Sequence, residues 1–204
     1  MRFSFGKRGV RLILASNSPR RAEILRNAGF AFEVHATGTD ETPRPRESAR
    51  RHVLRLATTK ARAAAKHAGR KGRAAIVIGA DTEVVVQGRI LGKPLDVRQA
   101  RRMLRLLSGR THRVLTGVCI VRVPEGDEVQ HVETTRVHFM KMSNQEIDDY
   151  IATGEPFDKA GGYGIQGMAG RFVDRIDGCY FNVMGLPLAR VSLMLRSWKM
   201  EKGK

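Results

Sequence analysis

The chain has 204 residues, of which 42% are hydrophobic, and it carries a formal net charge of +17 at pH 7. This length and hydrophobic content predict one folded domain and exclude a chain that is disordered throughout. The two distant cysteines, Cys119 and Cys179, exclude a disulfide framework or a thiolate zinc site. Because no run approaches the roughly 18 apolar residues that span a bilayer and the first residues lack the apolar core of a secretory signal, we expect a cytoplasmic protein with no membrane partner.

Apolar periodicity and turn residues predict strands and helices along the whole chain. In chain order, the predicted elements are a strand at 11–15, a helix at 19–28, a strand at 30–35, a helix at 47–68, a strand at 74–81, a hairpin at 83–86 and 89–91, a helix at 96–107, strands at 112–123 and 132–142, a helix at 143–152, strands at 171–176 and 179–183 and a helix at 186–198. The run 74–81 is apolar without alternation, which is typical of a strand buried on both faces of an α/β sheet.

The junction between the first strand and the first helix is the most informative local pattern. Ser18 is a good N-cap and Pro19 suits the first helical position, so the helix starts with unpaired backbone N–H groups that favour an anion. Arg20 and Arg21 add guanidinium groups, which bind phosphate oxygens in a bidentate way. The junction therefore indicates a phosphate site, and the alternative is a capped helix with two solvated arginines.

The predicted helix at 47–68 and the residues just after it carry much of the positive charge. Residues 1–80 hold 18 Lys/Arg against 5 Asp/Glu, a net +13, whereas residues 81–204 hold 19 against 15, a net +4. Such a field attracts polyanions, and nucleotides and nucleic acids are equally eligible on charge alone. The commoner explanation of such a helix is a solvated basic face.

Asp81 is the best catalytic candidate, because it ends the buried run 74–81. In open α/β sheets ligands bind beyond the carboxyl ends of the strands, so this carboxylate is expected where a substrate would lie. It could hold a divalent metal or accept a proton from water, and the alternative is a turn-forming Asp. Glu41, in an acidic loop, could supply a second oxygen ligand, although acids in such loops are more often solvated.

Two lysines and one amide are further binding candidates. Lys93 lies between a glycine and a proline on a tight connection, which gives its ammonium a defined direction, whereas Lys60 is as easily explained as an exposed helical lysine. The segment 153–170 is too rich in glycine for a regular element, and such a composition suits a loop that closes over a ligand. Within it, Gln166 could read a base edge through its paired donor and acceptor.

Other chemistries lack their sequence patterns. The chain contains neither GxxxxGK[ST] nor GxSxG, and its six histidines have no metal-ligand spacing. The glycines of the segment 153–170 do not form GxGxxG, so a dinucleotide site is rejected. Aromatic residues are 6% of the chain and are not interleaved with the basic helix, which argues against a stacking platform for single strands.

Taken together, the motifs resemble the Maf family of nucleoside triphosphate pyrophosphatases. In family order, the matching segments are Leu14-Ala-Ser-Asn-Ser-Pro-Arg-Arg21, Gly79-Ala-Asp-Thr82, Ile90-Leu-Gly-Lys-Pro94, Leu107-Ser-Gly-Arg-Thr-His112, Gly154-Glu-Pro-Phe-Asp-Lys-Ala-Gly-Gly-Tyr-Gly-Ile-Gln-Gly167 and Asn182-Val-Met-Gly-Leu-Pro187. The resemblance covers roughly residues 11–195.

The resemblance implies an α/β fold, similar to the ITPases, with an elongated mixed sheet and a cleft between two lobes. Together with the short basic sequence at the N-terminus, it predicts a lead-in at 1–10, one catalytic domain of two lobes at 11–198 and a tail at 199–204. The expected enzyme is a homodimer that uses Mg²⁺ or Mn²⁺ to hydrolyse a nucleoside triphosphate to the monophosphate and pyrophosphate. The segment Tyr163-Gly-Ile-Gln-Gly167 is similar to the subfamily that acts on dTTP and UTP.

The resemblance also assigns roles to individual residues. Asp81 is implied to be the proton acceptor that activates water for attack on the α-phosphorus, and Glu41 the second acidic position, beside the metal. The positions implied to face the phosphates are Ser16, Arg20, Arg21, Lys60 and Lys93. The positions implied to influence substrate choice are Arg20, Thr82 and Gln166.

Two other functions stay open on the sequence. The first is the same reaction on another nucleotide, such as 7-methyl-GTP or ITP. The second is a regulator of cell division that binds nucleic acid or protein through the basic helix. For the enzyme, we expect nucleic acid to be a secondary partner at most.

Overall fold

The computed structural model describes residues 10–70 and 73–200. Residues 1–9 of the predicted lead-in and residues 201–204 of the predicted tail lie outside them. The strands are β1 (Arg11–Ala15), β2 (Glu33–Val34), β3 (Ala75–Val86), β4 (Arg89–Leu91), β5 (Thr111–Val123), β6 (Glu128–Phe139) and β7 (Val173–Asp177). The helices are α1 (Pro19–Asn27), α2 (Ala49–Gly69), α3 (Val97–Leu107), α4 (Asn144–Ala152), α5 (Tyr180–Val183) and α6 (Leu188–Met200). Among the described residues, no helix has the length and apolar character needed to cross a bilayer.

Within these described ranges the strands form one seven-stranded mixed sheet. Its order is β2-β1-β3-β5-β6-β7, with β4 paired to β3. Strand β1 pairs in parallel with β2 and β3, whereas the pairs β3–β4 and β6–β7 are antiparallel. The predicted α/β class with a mixed sheet is confirmed.

The chain divides into two compact units. Among the described residues, the first unit comprises 10–70, 73–81, 116–132 and 185–200, and the second comprises 82–115 and 133–184.

The core of the first unit is built on a face of small side chains along α2. Five alanines of this helix pack with residues of β1, β3 and β5: Ala57, Ala61, Ala64, Ala65 and Ala68. At Gly79 of β3, an added Cβ would lie 2.2 Å from the carbonyl oxygen of Ala57, and at Gly117 of β5 it would lie 2.4 Å from that of Val53. Alanine and glycine therefore let the helix backbone lie directly on the sheet.

The core of the second unit uses larger side chains. Leu104, Leu107 and Ile147, on α3 and α4, are fully buried with the aromatic rings of Phe139 and Tyr150. Tyr163, from the glycine-rich segment, joins the same core with its ring 4.8 Å from that of Phe139. This segment is therefore anchored in the core, although it contains only short 3₁₀ turns.

Side chains cap the starts of several helices, and the predicted cap of α1 is present. The Ser18 Oγ accepts a 3.5 Å hydrogen bond from the Arg21 N–H, and Asp96 caps α3 in the same way. Ser143 and Glu146 form a complete capping box at the start of α4. The bounds differ slightly from the predicted ones at α2, because Ser48 is its cap and the helix begins at Ala49 rather than at residue 47.

Two predictions about strands are wrong. Asp81 does not end its strand, because β3 continues from its parallel pairing with β1 into an antiparallel pairing with β4. The segment 179–183 is not a strand but the one-turn helix α5. Within it the buried Asn182 amide donates to the Val114 carbonyl and the Thr135 hydroxyl, at 3.0 and 2.9 Å, and these tertiary hydrogen bonds outweigh the β-forming tendency of the apolar residues.

Candidate functional site

The end of β1 and the start of α1 place a serine and an arginine side by side. The Arg21 Nη1 donates to the Ser16 Oγ at 3.0 Å, and its Nε donates to the Gly185 carbonyl at 2.8 Å. The Ser18 N–H donates to the same serine oxygen at 3.2 Å. Burial lowers the pKa of Arg21, and the nearby Asp81 carboxylate acts in the opposite direction. Since arginine is not deprotonated in proteins, the first turn of α1 carries a fixed and largely buried positive charge.

A lysine bridges two carboxylates in the same unit. The Lys60 Nζ, on α2, donates to the Asp81 Oδ1 at 2.7 Å and to the Glu41 Oε1 at 2.5 Å. Lys60 and Asp81 are 8% and 7% exposed, whereas the Glu41 side chain is 57% exposed. The buried Lys60–Asp81 ion pair therefore has a second carboxylate, that of Glu41, on its solvent-exposed side.

Two members of this triad, Asp81 and Glu41, carry carboxylates of the kind that can hold a hard divalent cation. Asp81 and Glu41 offer carboxylate oxygens that converge on one point of positive charge, the Lys60 ammonium. Oxygen ligands are those that Mg²⁺ and Mn²⁺ prefer. The residues present fit such an ion, and Asp81 and Glu41 are the residues that could hold it.

The first unit thus contains most of the predicted site residues. Its members are Ser16, Arg20, Arg21, Glu41, Lys60 and Asp81. Ser16, Arg21, Lys60 and Asp81 are buried, and Arg20 is half-buried on the first turn of α1. The structure brings Ser16 together with Arg21, and Lys60 together with Asp81 and Glu41.

The other predicted residues belong to the second unit. Thr82 is half-buried in β3, and Lys93 is exposed on the connection after β4. The Gly161 N–H donates to the Gly92 carbonyl at 2.9 Å, so the residue before Lys93 is tied to the glycine-rich segment. Gln166 is exposed further along that segment.

Glu155, which the sequence reasoning missed, anchors the glycine-rich segment. Its carboxylate accepts hydrogen bonds from the Tyr150 hydroxyl at 2.9 Å and from the Met168 N–H at 3.0 Å. An added Cβ at Gly167 would lie 2.2 Å from this carboxylate. The glycine therefore lets the backbone beside Gln166 pack directly on Glu155, and the glycine content of the segment was the one signal in the sequence.

Glu47 and Arg55 were also missed as a pair. The sequence reasoning assigned Arg55 to a solvated basic face, yet its guanidinium makes two hydrogen bonds to the Glu47 carboxylate, at 2.7 and 2.8 Å. Glu47 lies before α2 and Arg55 lies two turns along it, so helix periodicity does not relate them. No sequence pattern therefore pointed to the pair.

Comparison with known proteins gives a consistent result. The model of one family, described as Maf-like protein, matches residues 11–198. A dTTP/UTP pyrophosphatase of Koribacter versatilis is 51% identical over 189 residues, which cover 92% of this chain and 94% of that protein. A dTTP/UTP pyrophosphatase of Anaeromyxobacter sp. is 49% identical over 189 residues, which cover 91% and 88%. The solved structure of the Staphylococcus aureus Ham1 protein aligns with 94% of this chain and 100% of that chain, at 14% identity and a TM-score of 0.44, which is too distant to guide interpretation.

Proposed function

The chain belongs to the Maf family, and on that basis we propose that it hydrolyses dTTP and UTP to the nucleoside monophosphate and pyrophosphate. The observation that carries the proposal is the Lys60 ammonium held between the Asp81 and Glu41 carboxylates. The first unit also contains Ser16 and the buried cation Arg21. A triphosphate needs cations for its oxygens and a carboxylate for its attacking water, and these residues supply both.

The proposed chemistry gives each of these side chains a defined role. Arg21 and Lys60 bind phosphate oxygens and stabilise the charge that develops in the transition state. Asp81 accepts a proton from the water that attacks the α-phosphorus, and pyrophosphate leaves. A bound Mg²⁺ or Mn²⁺, held by Asp81 and Glu41, would supply Lewis-acid stabilisation of the same phosphate oxygens.

The remaining residue roles are also part of this proposal. Ser16, Arg20 and Lys93 are proposed to bind the triphosphate, and Arg20, Thr82 and Gln166 to select the base. We propose that the enzyme acts as a homodimer, as the family resemblance implies. A cytoplasmic location accords with the proposed substrates, because nucleoside triphosphates are synthesised and consumed there.

A panel of nucleotides tests the proposed substrate. We expect kcat/KM to be highest for dTTP and UTP among dTTP, UTP, 7-methyl-GTP, ITP and the standard purine triphosphates. Pyrophosphate release should stop on addition of a chelator and return with Mg²⁺ or Mn²⁺. A preference for 7-methyl-GTP or ITP, or an unchanged rate with chelator, would contradict the proposal.

Nucleic acid is proposed as a secondary partner, on the exposed face of α2. Residues 48–80 contain nine Lys/Arg and no Asp/Glu. Arg51, Lys66 and Arg70, on this helix or at its C-cap, are exposed. They extend along a helix of 21 residues, about 31 Å long, so the charge forms a stripe rather than a point. Such a stripe is complementary to a phosphate backbone.

A triple substitution tests this partner. We expect R51Q/K66Q/R70Q to weaken binding to duplex DNA and to reduce the dependence of log K on log salt by about 0.9 for each lost phosphate contact, measured by fluorescence anisotropy. Arg26→Gln, which removes an exposed arginine from α1, is the matched control and should bind like the wild type. Equal binding by the triple variant and the control would contradict this partner.

A further inference from the structure

Glu47 and Arg55 form a nearly buried ion pair at the start of α2. The Arg55 Nε donates to Glu47 Oε1 at 2.7 Å, and its Nη2 donates to Oε2 at 2.8 Å. The Glu47 side chain is only 8% exposed. The Arg55 hydrogen bonds, with a smaller contribution from His52, hold the pKa of Glu47 well below its ordinary value. The carboxylate is therefore ionised, and the pair has a fixed fork geometry.

The same two side chains bond the backbone of the acidic segment, which we define as residues 40–47 and which ends at Glu47. The Arg55 Nη2 donates to the Thr42 carbonyl at 3.2 Å, and Glu47 Oε2 accepts the Arg44 N–H at 3.1 Å. The Asp40 carboxylate accepts the Thr42 N–H at 2.9 Å. The backbone of the acidic segment is thus hydrogen-bonded to side chains at Thr42 and at Arg44.

The acidic segment also contains an unfavourable backbone conformation. Arg46 has a φ of 58°, in the left-handed region that residues with a Cβ rarely adopt. Such a conformation persists when surrounding contacts determine it. Glu47, the residue after Arg46, accepts the Arg44 N–H and is bonded to Arg55, so hydrogen bonds that span Arg46 are contacts of this kind.

Glu41 lies directly beside this arrangement. Its side chain is 57% exposed, yet its Oε1 lies 2.5 Å from the Lys60 Nζ. The next residue, Thr42, is bonded through its carbonyl to Arg55, and Arg55 lies five residues before Lys60 on α2. One helix therefore bonds both the Glu41 carboxylate and the backbone beside it.

We propose that Arg55, oriented by Glu47, is a positioning residue that holds Glu41 against the Lys60–Asp81 pair and thereby sets the affinity of the two carboxylates for a divalent cation. The proposal rests on the proposed function only in taking Glu41 and Asp81 as the cation ligands. Outer groups that orient ligands typically contribute tenfold to a hundredfold in metal affinity.

The same helix provides a matched control. Arg62 also makes two hydrogen bonds to a carboxylate, that of Glu128, at 2.9 and 2.7 Å. Glu128 lies at the start of β6 and not in the acidic segment, and both of these hydrogen bonds from Arg62 go to it. Substitution of Arg62 therefore removes an Arg–Glu ion pair of α2 without removing a contact to the acidic segment, whereas substitution of Arg55 removes both.

The test measures Mn²⁺ binding to the nucleotide-free protein by electron paramagnetic resonance, together with hydrogen exchange at the Thr42 and Arg44 amides. We expect Arg55→Ala to weaken Mn²⁺ binding about tenfold or more and to accelerate exchange at both amides. Arg62→Ala should leave both unchanged. In a Glu41→Gln background, Arg55→Ala should have no further effect on Mn²⁺ binding, because the ligand it positions is already lost.

Several results would overturn the proposal. They are wild-type protein that does not bind Mn²⁺, an Arg55→Ala variant with wild-type affinity, and an Arg55→Ala effect that persists in full without Glu41. If Arg55→Ala does not fold, Arg55→Lys keeps the charge but not the planar fork of donors, and it should weaken Mn²⁺ binding by severalfold.

Two outcomes distinguish this proposal from the proposed function. If the wild-type protein hydrolyses dTTP and the Arg55→Ala variant keeps the wild-type Mn²⁺ affinity, the positioning role alone is rejected. Mn²⁺ binding with the expected pattern but no release of pyrophosphate rejects the proposed function alone.

Discussion

Substitution of Asp81 by Asn is expected to lower kcat for dTTP by about 10²- to 10⁴-fold, the usual contribution of a positioned acid or base. The amide keeps the volume of the side chain but cannot accept the proton of the attacking water. It also leaves the Lys60 ammonium, 8% exposed, with the Glu41 carboxylate as its charged hydrogen-bond partner. Steady-state release of pyrophosphate, with thermal unfolding measured on the same preparation, checks the prediction.

An exposed aspartate provides the control for this substitution. Asp149 lies on α4 and accepts a hydrogen bond from Gln145 at 2.8 Å. Asp149→Asn should retain the wild-type kcat. An Asp81→Asn variant that is folded and turns over within about threefold of the wild type would remove Asp81 from the chemistry.

Substitution of Gly79 by Ala is expected to destabilise the protein by about 3 kcal/mol or more, the upper part of the range for overpacking. The new Cβ would lie 2.2 Å from the Ala57 carbonyl oxygen and 2.7 Å from the Ala61 nitrogen, and both are backbone atoms of α2 that no side-chain rotation can remove. For a chain of this length each kcal/mol lowers Tm by about 2–4 °C. Calorimetry should therefore show a clear drop in Tm.

A second glycine near α2 tests whether the close approach is the cause. At Gly69 an added Cβ would meet only Val123 Cγ1, at 3.6 Å, which is an ordinary contact. Gly69→Ala should change stability by no more than about 1 kcal/mol, since alanine is the better helix former. Equal Tm values for Gly79→Ala and Gly69→Ala would show that α2 does not lie directly on β3.

The elements that could be predicted from the sequence are those with local causes. The caps at Ser18 and Ser143 are each formed within four residues, so the starts of α1 and α4 follow from local sequence. The continuation of β3 past Asp81 depends on pairing with β4, and the helix α5 depends on bonds from Asn182 to distant residues. These non-local causes leave no periodicity in the sequence.

The candidate site shows the same division. Asp81, Glu41 and Lys60 could each be named from residue type and position, but their contact through one ammonium could not, because 19 and 21 residues separate Lys60 from its two partners. The prediction that Arg55 lies on a solvated basic face is wrong, because its partner, Glu47, lies before the first residue of α2 and outside the periodicity of that helix. Ion pairs between a loop and a helix follow no sequence period, so the structure was needed to find these two.

The position at which water attacks the triphosphate tests the central claim most directly. Hydrolysis of dTTP in H₂¹⁸O, followed by mass spectrometry of both products, reports which phosphorus receives the water oxygen. Attack on the α-phosphorus, with Asp81 as proton acceptor, predicts that the label appears in dTMP and not in pyrophosphate. Label in pyrophosphate, or release of orthophosphate in its place, would contradict the account.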